Sequence, residues 1–131
     1  MEDKFQLEII SPEKILFSDS VEMVKVPSYE GDMSILKNHI SIITFLRPGI
    51  VKVEKNDGNY EEFFVQDGTV EFSGENLVIL SASAINIKDL SNEFLNNLQK
   101  ETEATLAKEN INDQDRYILN HKIDVIKEIR V

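Results

Sequence analysis

A chain of 131 residues, 41% apolar and 29% charged, suits one globular domain, or one domain with an appendage, and is long enough for a self-sufficient core. It contains neither Cys nor Trp, which excludes a disulfide framework, a thiolate metal site and a cysteine nucleophile and fits a reducing compartment. The formal net charge is −10, most of it in residues 1–87, and that sign repels phosphate backbones and anionic lipid surfaces, so neither nucleic acid nor a membrane surface is an expected partner.

The chain opens with Phe5, Leu7 and Ile9 alternating with Gln6 and Glu8, a period of two that predicts a half-buried strand. The opening lacks a basic region followed by a long apolar one, so no signal peptide is expected. Ser11-Pro12 punctuates the strand. Lys14 to Phe17 reads as a short second strand closed by Ser18-Asp19-Ser20. Val21 to Val26 reads as a third, stopped by Pro27. Apolar runs follow at Met33 to Leu36 and Ile40 to Leu46, then a turn at Arg47-Pro48-Gly49 and a β-branched strand at Ile50 to Glu54.

Asp57-Gly58 between two alternating runs predicts a hairpin into Tyr60–Val65. Gly68 and Gly74 mark further turns around strands at Thr69–Phe72 and Leu77–Leu80, with a last short strand at Ala84–Ile87. Nine or ten short strands separated by frequent turns predict an antiparallel sandwich or barrel over residues 1–87.

The pattern changes near Asp89. Ser91 is a candidate N-cap for an amphipathic helix to about Lys108, with Leu90, Phe94, Leu98 and Thr102 at steps of four. Asn112 or Asp113 can cap a second helix, in which Leu119, Ile123, Ile126 and Ile129 share a face. No Gly or Pro follows Gly74, so residues 88–131 are expected to form an antiparallel helical hairpin. No apolar run approaches the ~20 residues of a membrane span.

A catalyst needs convergent titratable groups, and here they are scattered. The two histidines, His39 and His121, fall in different modules. Glu61 and Glu62 are strand neighbours and point to opposite faces. Asp113 and Asp115 faintly resemble a calcium loop, but the glycine and closing glutamate it requires are missing. Phosphate-binding and nucleophile-elbow motifs are absent. No catalytic, cofactor or metal residue is assigned. The turns Glu30-Gly31-Asp32 and Lys37-Asn38-His39 are distinctive for connections and point to a docking surface.

Taken in order, Ser11-Pro12-Glu13, Leu16-Phe17-Ser18, Val26-Pro27, Glu30-Gly31-Asp32, Ile35-Leu36, His39, Leu46-Arg47-Pro48-Gly49-Ile50, Phe64-Val65, Gly68, Val78-Ile79-Leu80 and Ala84-Ile85 resemble the epsilon-subunit family of F-type ATP synthases. The resemblance covers the whole chain. It implies a ten-stranded β-sandwich followed by a helical hairpin, the same fold that periodicity predicts. It implies a non-catalytic subunit of the central stalk that binds the gamma subunit and the polar loops of the c-ring. It also implies coupling of ring rotation to ATP synthesis, with the hairpin able to reach the alpha/beta catalytic head. On the same resemblance Glu30, Gly31, Asp32 and His39 are the partner-binding candidates. Location on the cytoplasmic face of a bacterial inner membrane is implied, with a plastid thylakoid as the lesser alternative.

Two features depart from the family pattern. Lys37-Asn38 replaces a Pro-Gly before the turn histidine, and Ser34 stands near an expected glycine. An ATP-holding motif found in some members would fall on Leu90-Ser91-Asn92-Glu93-Phe94-Leu95, where only the first position fits. ATP control of the hairpin is therefore not expected. The alternatives are a stand-alone interaction module of the same architecture, or a small sandwich enzyme built around His39.

Overall fold

The computed structural model describes residues 3–56 and 58–130. The chain divides into two compact units, Met1–Ile87 and Lys88–Val131.

Among the described residues the first unit holds ten strands, namely β1 (Phe5–Ile10), β2 (Ile15–Val21), β3 (Met23–Ser28), β4 (Gly31–Ile35), β5 (Ile42–Leu46), β6 (Gly49–Asn56), β7 (Asn59–Val65), β8 (Gly68–Ser73), β9 (Asn76–Leu80) and β10 (Ile85–Asn86). They form one curled sheet in the order β10-β7-β6-β3-β5-β8-β9-β1-β2, with β4 paired to β3 off this path. Among the described residues every pairing is antiparallel except β1 with β9, which is parallel. The predicted alternation in β1 is borne out: Phe5, Leu7 and Ile9 are buried. They meet residues of equal parity on β9, where Leu7 faces Leu77 and Ile9 faces Ile79. The core joins these to Val21, Val24, Val26, Leu46, Val51, Val53, Phe63, Val65, Val70 and Phe72. Edge-on ring pairs, Phe5 with Phe72 and Phe17 with Phe63, fix its aromatic part.

Several strand ends differ from expectation, and those of β2 and β3 show why. β2 runs on through Ser18, Asp19 and Ser20 because these residues are in register with Glu8, Leu7 and Gln6 across the ladder. An edge strand needs only the backbone ladder, and its polar side chains face water. β3 likewise runs on through Pro27. It is paired with β6 as far as Lys25 and with β5 at Ser28, so Pro27 sits where the strand changes partner. A missing N–H is tolerated at such a break in pairing. The β6–β7 hairpin forms with Asn56 opposite Asn59 and Gly58 at φ 87°, while Asp57 itself lies outside the described residues.

The second unit holds α1 (Asn92–Leu106) and α2 (Asp113–Ile129). Ser91 caps α1 by accepting the Phe94 N–H at 3.0 Å, and Asn112 caps α2 by accepting the Asp115 N–H at 2.7 Å. Each cap satisfies one of the orphan donors of a first turn. The Arg130 guanidinium just past the end of α2 donates to Gln99 Oε1 at the middle of α1 at 2.8 Å, a side-chain bond between the two helices. The buried stripe of α1 is Leu95, Leu98 and Thr102. Phe94, expected on that stripe, is 37% exposed. The true spacing is three then four, which follows the helical repeat better than steps of four alone. On α2 Ile123 and Ile126 are buried as expected, and Ile129 is partly buried. Thr102 satisfies its buried hydroxyl by donating to the Leu98 carbonyl at 2.7 Å.

Candidate functional site

Glu30, Gly31 and Asp32 form the tip of the β3–β4 hairpin. Ser28 is in register with Gly31, so Tyr29-Glu30 is a two-residue turn. Gly31 lies at φ 125°, a backbone conformation that residues with a Cβ rarely adopt. The turn is fastened to its neighbours at several points. The Tyr29 N–H donates to the Phe45 carbonyl at 3.0 Å and the Arg47 N–H to the Pro27 carbonyl at 2.9 Å. The Ser28 hydroxyl, fully buried, donates to the Gly31 carbonyl at 2.6 Å. The Thr44 hydroxyl, also buried, donates to Glu30 Oε1 at 2.8 Å. Arg47 Nη2 lies 3.6 Å from Asp32 Oδ1, and the Asp32 side chain is 58% exposed. The turn is thus a solvent-facing tip, anchored by these bonds and carrying two carboxylates.

His39 lies elsewhere, in the loop from β4 to β5. The loop turns by a 3.0 Å bond from the His39 N–H to the Leu36 carbonyl, so Lys37-Asn38 supports the turn in place of Pro-Gly. The ring is held by a 2.7 Å contact of Nδ1 with the Ile40 carbonyl and an edge-on contact with Phe72. Phe72 faces Ile42 at one end of β5, whereas the acidic turn is beside Leu46 at the other. The two ends are about 13 Å apart at about 3.3 Å per residue. The four candidate residues therefore form two places, one at each end of the sandwich. Beside His39 is an open cleft of about 720 Å³ lined by Asp3, Glu22, Leu36, Lys37 and Asn38. Lys37 at its rim is 3.9 Å from Glu75. The Nδ1 commitment to a backbone carbonyl fixes the imidazole as part of its loop. Glu61 is likewise engaged, by Lys55 and Asn86, each at 3.0 Å.

Sequence reasoning missed an apolar outer face. Ile43 and Phe45 are 73% and 59% exposed. Phe45 is in register with Thr69, Thr69 with Leu80, and Leu80 with Ile10, which puts one row across four strands. Ile43, Glu71, Val78 and Glu8 make the next row. Tyr29, at the acidic turn, joins Phe45 and Leu80 in lining a shallow groove. The signal was present in Ile42-Ile43-Thr44-Phe45-Leu46. Apolar residues at both parities of a strand mean that both faces are apolar, and only one of them is the core.

Residues 4–87 match the family model described as ATP synthase, Delta/Epsilon chain, beta-sandwich domain. The ATP synthase epsilon chain of Pelagibacter ubique (strain HTCC1062) is 42% identical, over 98% of this chain and 99% of that one. The ATP synthase epsilon chain of Parvibaculum lavamentivorans (strain DS-1) is 34% identical, over 99% and 98% respectively. In three dimensions the chain is similar to one in the Euglena gracilis mitochondrial ATP synthase, OSCP/F1/c-ring in rotational state 1. The TM-score there is 0.75 at 17% identity, covering 99% of this chain and 81% of that one. It is also similar to a chain in the central stalk/c-ring of the Tetrahymena thermophila mitochondrial ATP synthase, with a TM-score of 0.68 at 12% identity and 96% of each chain covered. At these identities the two structures show a shared fold.

Proposed function

The chain belongs to the ATP synthase delta/epsilon family as a non-catalytic subunit, and on that premise we propose that it is the rotor subunit at the foot of the central stalk, coupling c-ring rotation to ATP synthesis through contacts with the gamma and c subunits. The observation that carries this assignment is end-to-end similarity to chains named ATP synthase epsilon chain, at 42% identity over nearly the whole of both sequences. The complex is membrane-associated, and the chain attaches to it peripherally at the cytoplasmic face of a bacterial inner membrane. No helix among the described residues is long and apolar enough to cross a bilayer.

Two surfaces divide the work. The β3–β4 turn, with Glu30, Gly31 and Asp32, is the end that meets the polar loops of the c-ring. Its support is an anchored, exposed tip with carboxylates suited to charge-assisted hydrogen bonds from basic loops. The apolar outer face around Ile43, Phe45 and Leu80 takes the gamma subunit. Its support is large exposed apolar side chains contiguous with that tip, as a permanent interface requires. His39, at the far end of β5, belongs to neither tip nor groove, and its loop is kept as a candidate contact for gamma or the c-ring. The hairpin is left for the alpha/beta head, without control by ATP. Affinity purification of the tagged chain from detergent-solubilised membranes tests the assignment. Gamma and c subunits are expected to accompany it, and recovery as a free monomer would overturn it.

A further inference from the structure

The two carboxylates of the β3–β4 turn are not equivalent. Asp32 already faces a cation of its own chain, Arg47 at 3.6 Å, and is partly neutralised within the protein. Glu30 instead rests on hydroxyls. Thr44, 5% exposed, donates to Glu30 Oε1 at 2.8 Å from a strand fourteen residues away in sequence. The Ser28 hydroxyl also approaches Oε1, at 3.4 Å, but its single proton goes to the Gly31 carbonyl at 2.6 Å. Thr44 is therefore the one full donor of the two. A hydroxyl bond to a carboxylate fixes the group without cancelling its charge. Both contacts use Oε1, so Oε2 can take a cation from a partner without loss of the anchor.

We propose that Thr44 is a positioning residue for docking, holding the Glu30 carboxylate as a preorganised acceptor for one basic side chain of the partner, while Asp32 and Arg47 serve to brace the turn. This rests on the assignment of the turn as the c-ring contact. A glutamate left free would have to be ordered on binding, and that ordering weakens association by about two- to tenfold per side chain. Thr44 removes the cost in advance. Its place on β5 is otherwise unexpected, since inward positions there are apolar, as at Leu46.

The test is a double-mutant cycle in membranes from cells lacking this chain, to which purified full-length variants are added back. The apparent Kd is read from recovery of ATP-driven proton pumping. Thr44→Val and Glu30→Ala are each expected to raise it about two- to tenfold. The double variant is expected to be no worse than Glu30→Ala alone, and Thr44→Ser to behave as the parent chain. A purely structural Thr44 would instead weaken binding equally in the Glu30→Ala background, and that additivity would overturn the proposal. So would a Thr44→Val effect of zero beside a clear Glu30→Ala effect. A Glu30→Ala variant without effect would remove the turn as the ring contact altogether, which separates the two failures. Thermal unfolding checks each variant, with Thr44→Ala replacing Thr44→Val if the latter does not fold.

Discussion

At the residue scale, the sandwich places strict demands on a few positions. Gly68 begins β8 at φ 145°, and a Cβ there would lie 2.5 Å from the Leu80 carbonyl oxygen. Both the backbone conformation and the close approach exclude a side chain. Gly68→Ala is expected to destabilise the protein by about 1–3 kcal/mol, seen as a lower denaturant midpoint with unchanged slope. Phe45 is the opposite case. Its ring is 59% exposed and adds little to the fold, so Phe45→Glu is expected to leave the unfolding temperature nearly unchanged. The same substitution on the proposed gamma face should weaken gamma binding at least tenfold, measured by titrating gamma against the purified chain. Equal affinity would move gamma off that face.

At the element scale, local signals were legible and non-local ones were not. Alternation in Phe5-Gln6-Leu7-Glu8-Ile9 named a strand and its buried face, and Ser91 and Asn112 announced helix starts through their side-chain oxygens. Pro27 misled because its effect depends on which neighbour β3 has at that point, and pairing order is not written in any one strand. Ser18-Asp19-Ser20 misled for a different reason, since an edge strand is held by backbone bonds to its neighbour and these do not depend on apolar side chains. The acidic turn was legible as a distinctive motif. Its anchor was not, because Thr44 reaches Glu30 only once β5 lies beside the hairpin. His39 shared the motif stretch yet sits at the far end of β5, because β4 carries the chain from one end of the sandwich to the other.

The same local logic predicts modularity. The alternating faces of residues 1–87 bury one another, and the core residues lie within that unit. A chain ending at Asp89 is expected to retain a β-type circular dichroism spectrum and to bind gamma. Residues 90–131 alone contain helices of 15 and 17 residues, near the ~12–15 below which isolated helices are marginal, and should be only partly helical. An unfolded spectrum for the truncated chain would mean that the sandwich depends on the hairpin.

At the scale of the whole molecule, the chain is a non-catalytic subunit of its family, and the proposed role carries two further predictions. No ATP is expected to bind the hairpin. Ser91, where a motif aspartate would stand, is occupied as a helix cap, Glu93 brings negative charge to the first turn, and Phe94 offers no donor to a phosphate. Isothermal titration with ATP should show no saturable heat, and micromolar binding would refute this. The central claim is that the acidic tip of the sandwich meets the membrane ring. Asp32 is exposed, so a cysteine there removes the Arg47 contact but no core packing. In the assembled complex, Asp32→Cys paired with a cysteine in the polar loop of the c subunit should form a disulfide crosslink under mild oxidation. Crosslinking of residue 32 to the catalytic head alone would contradict it.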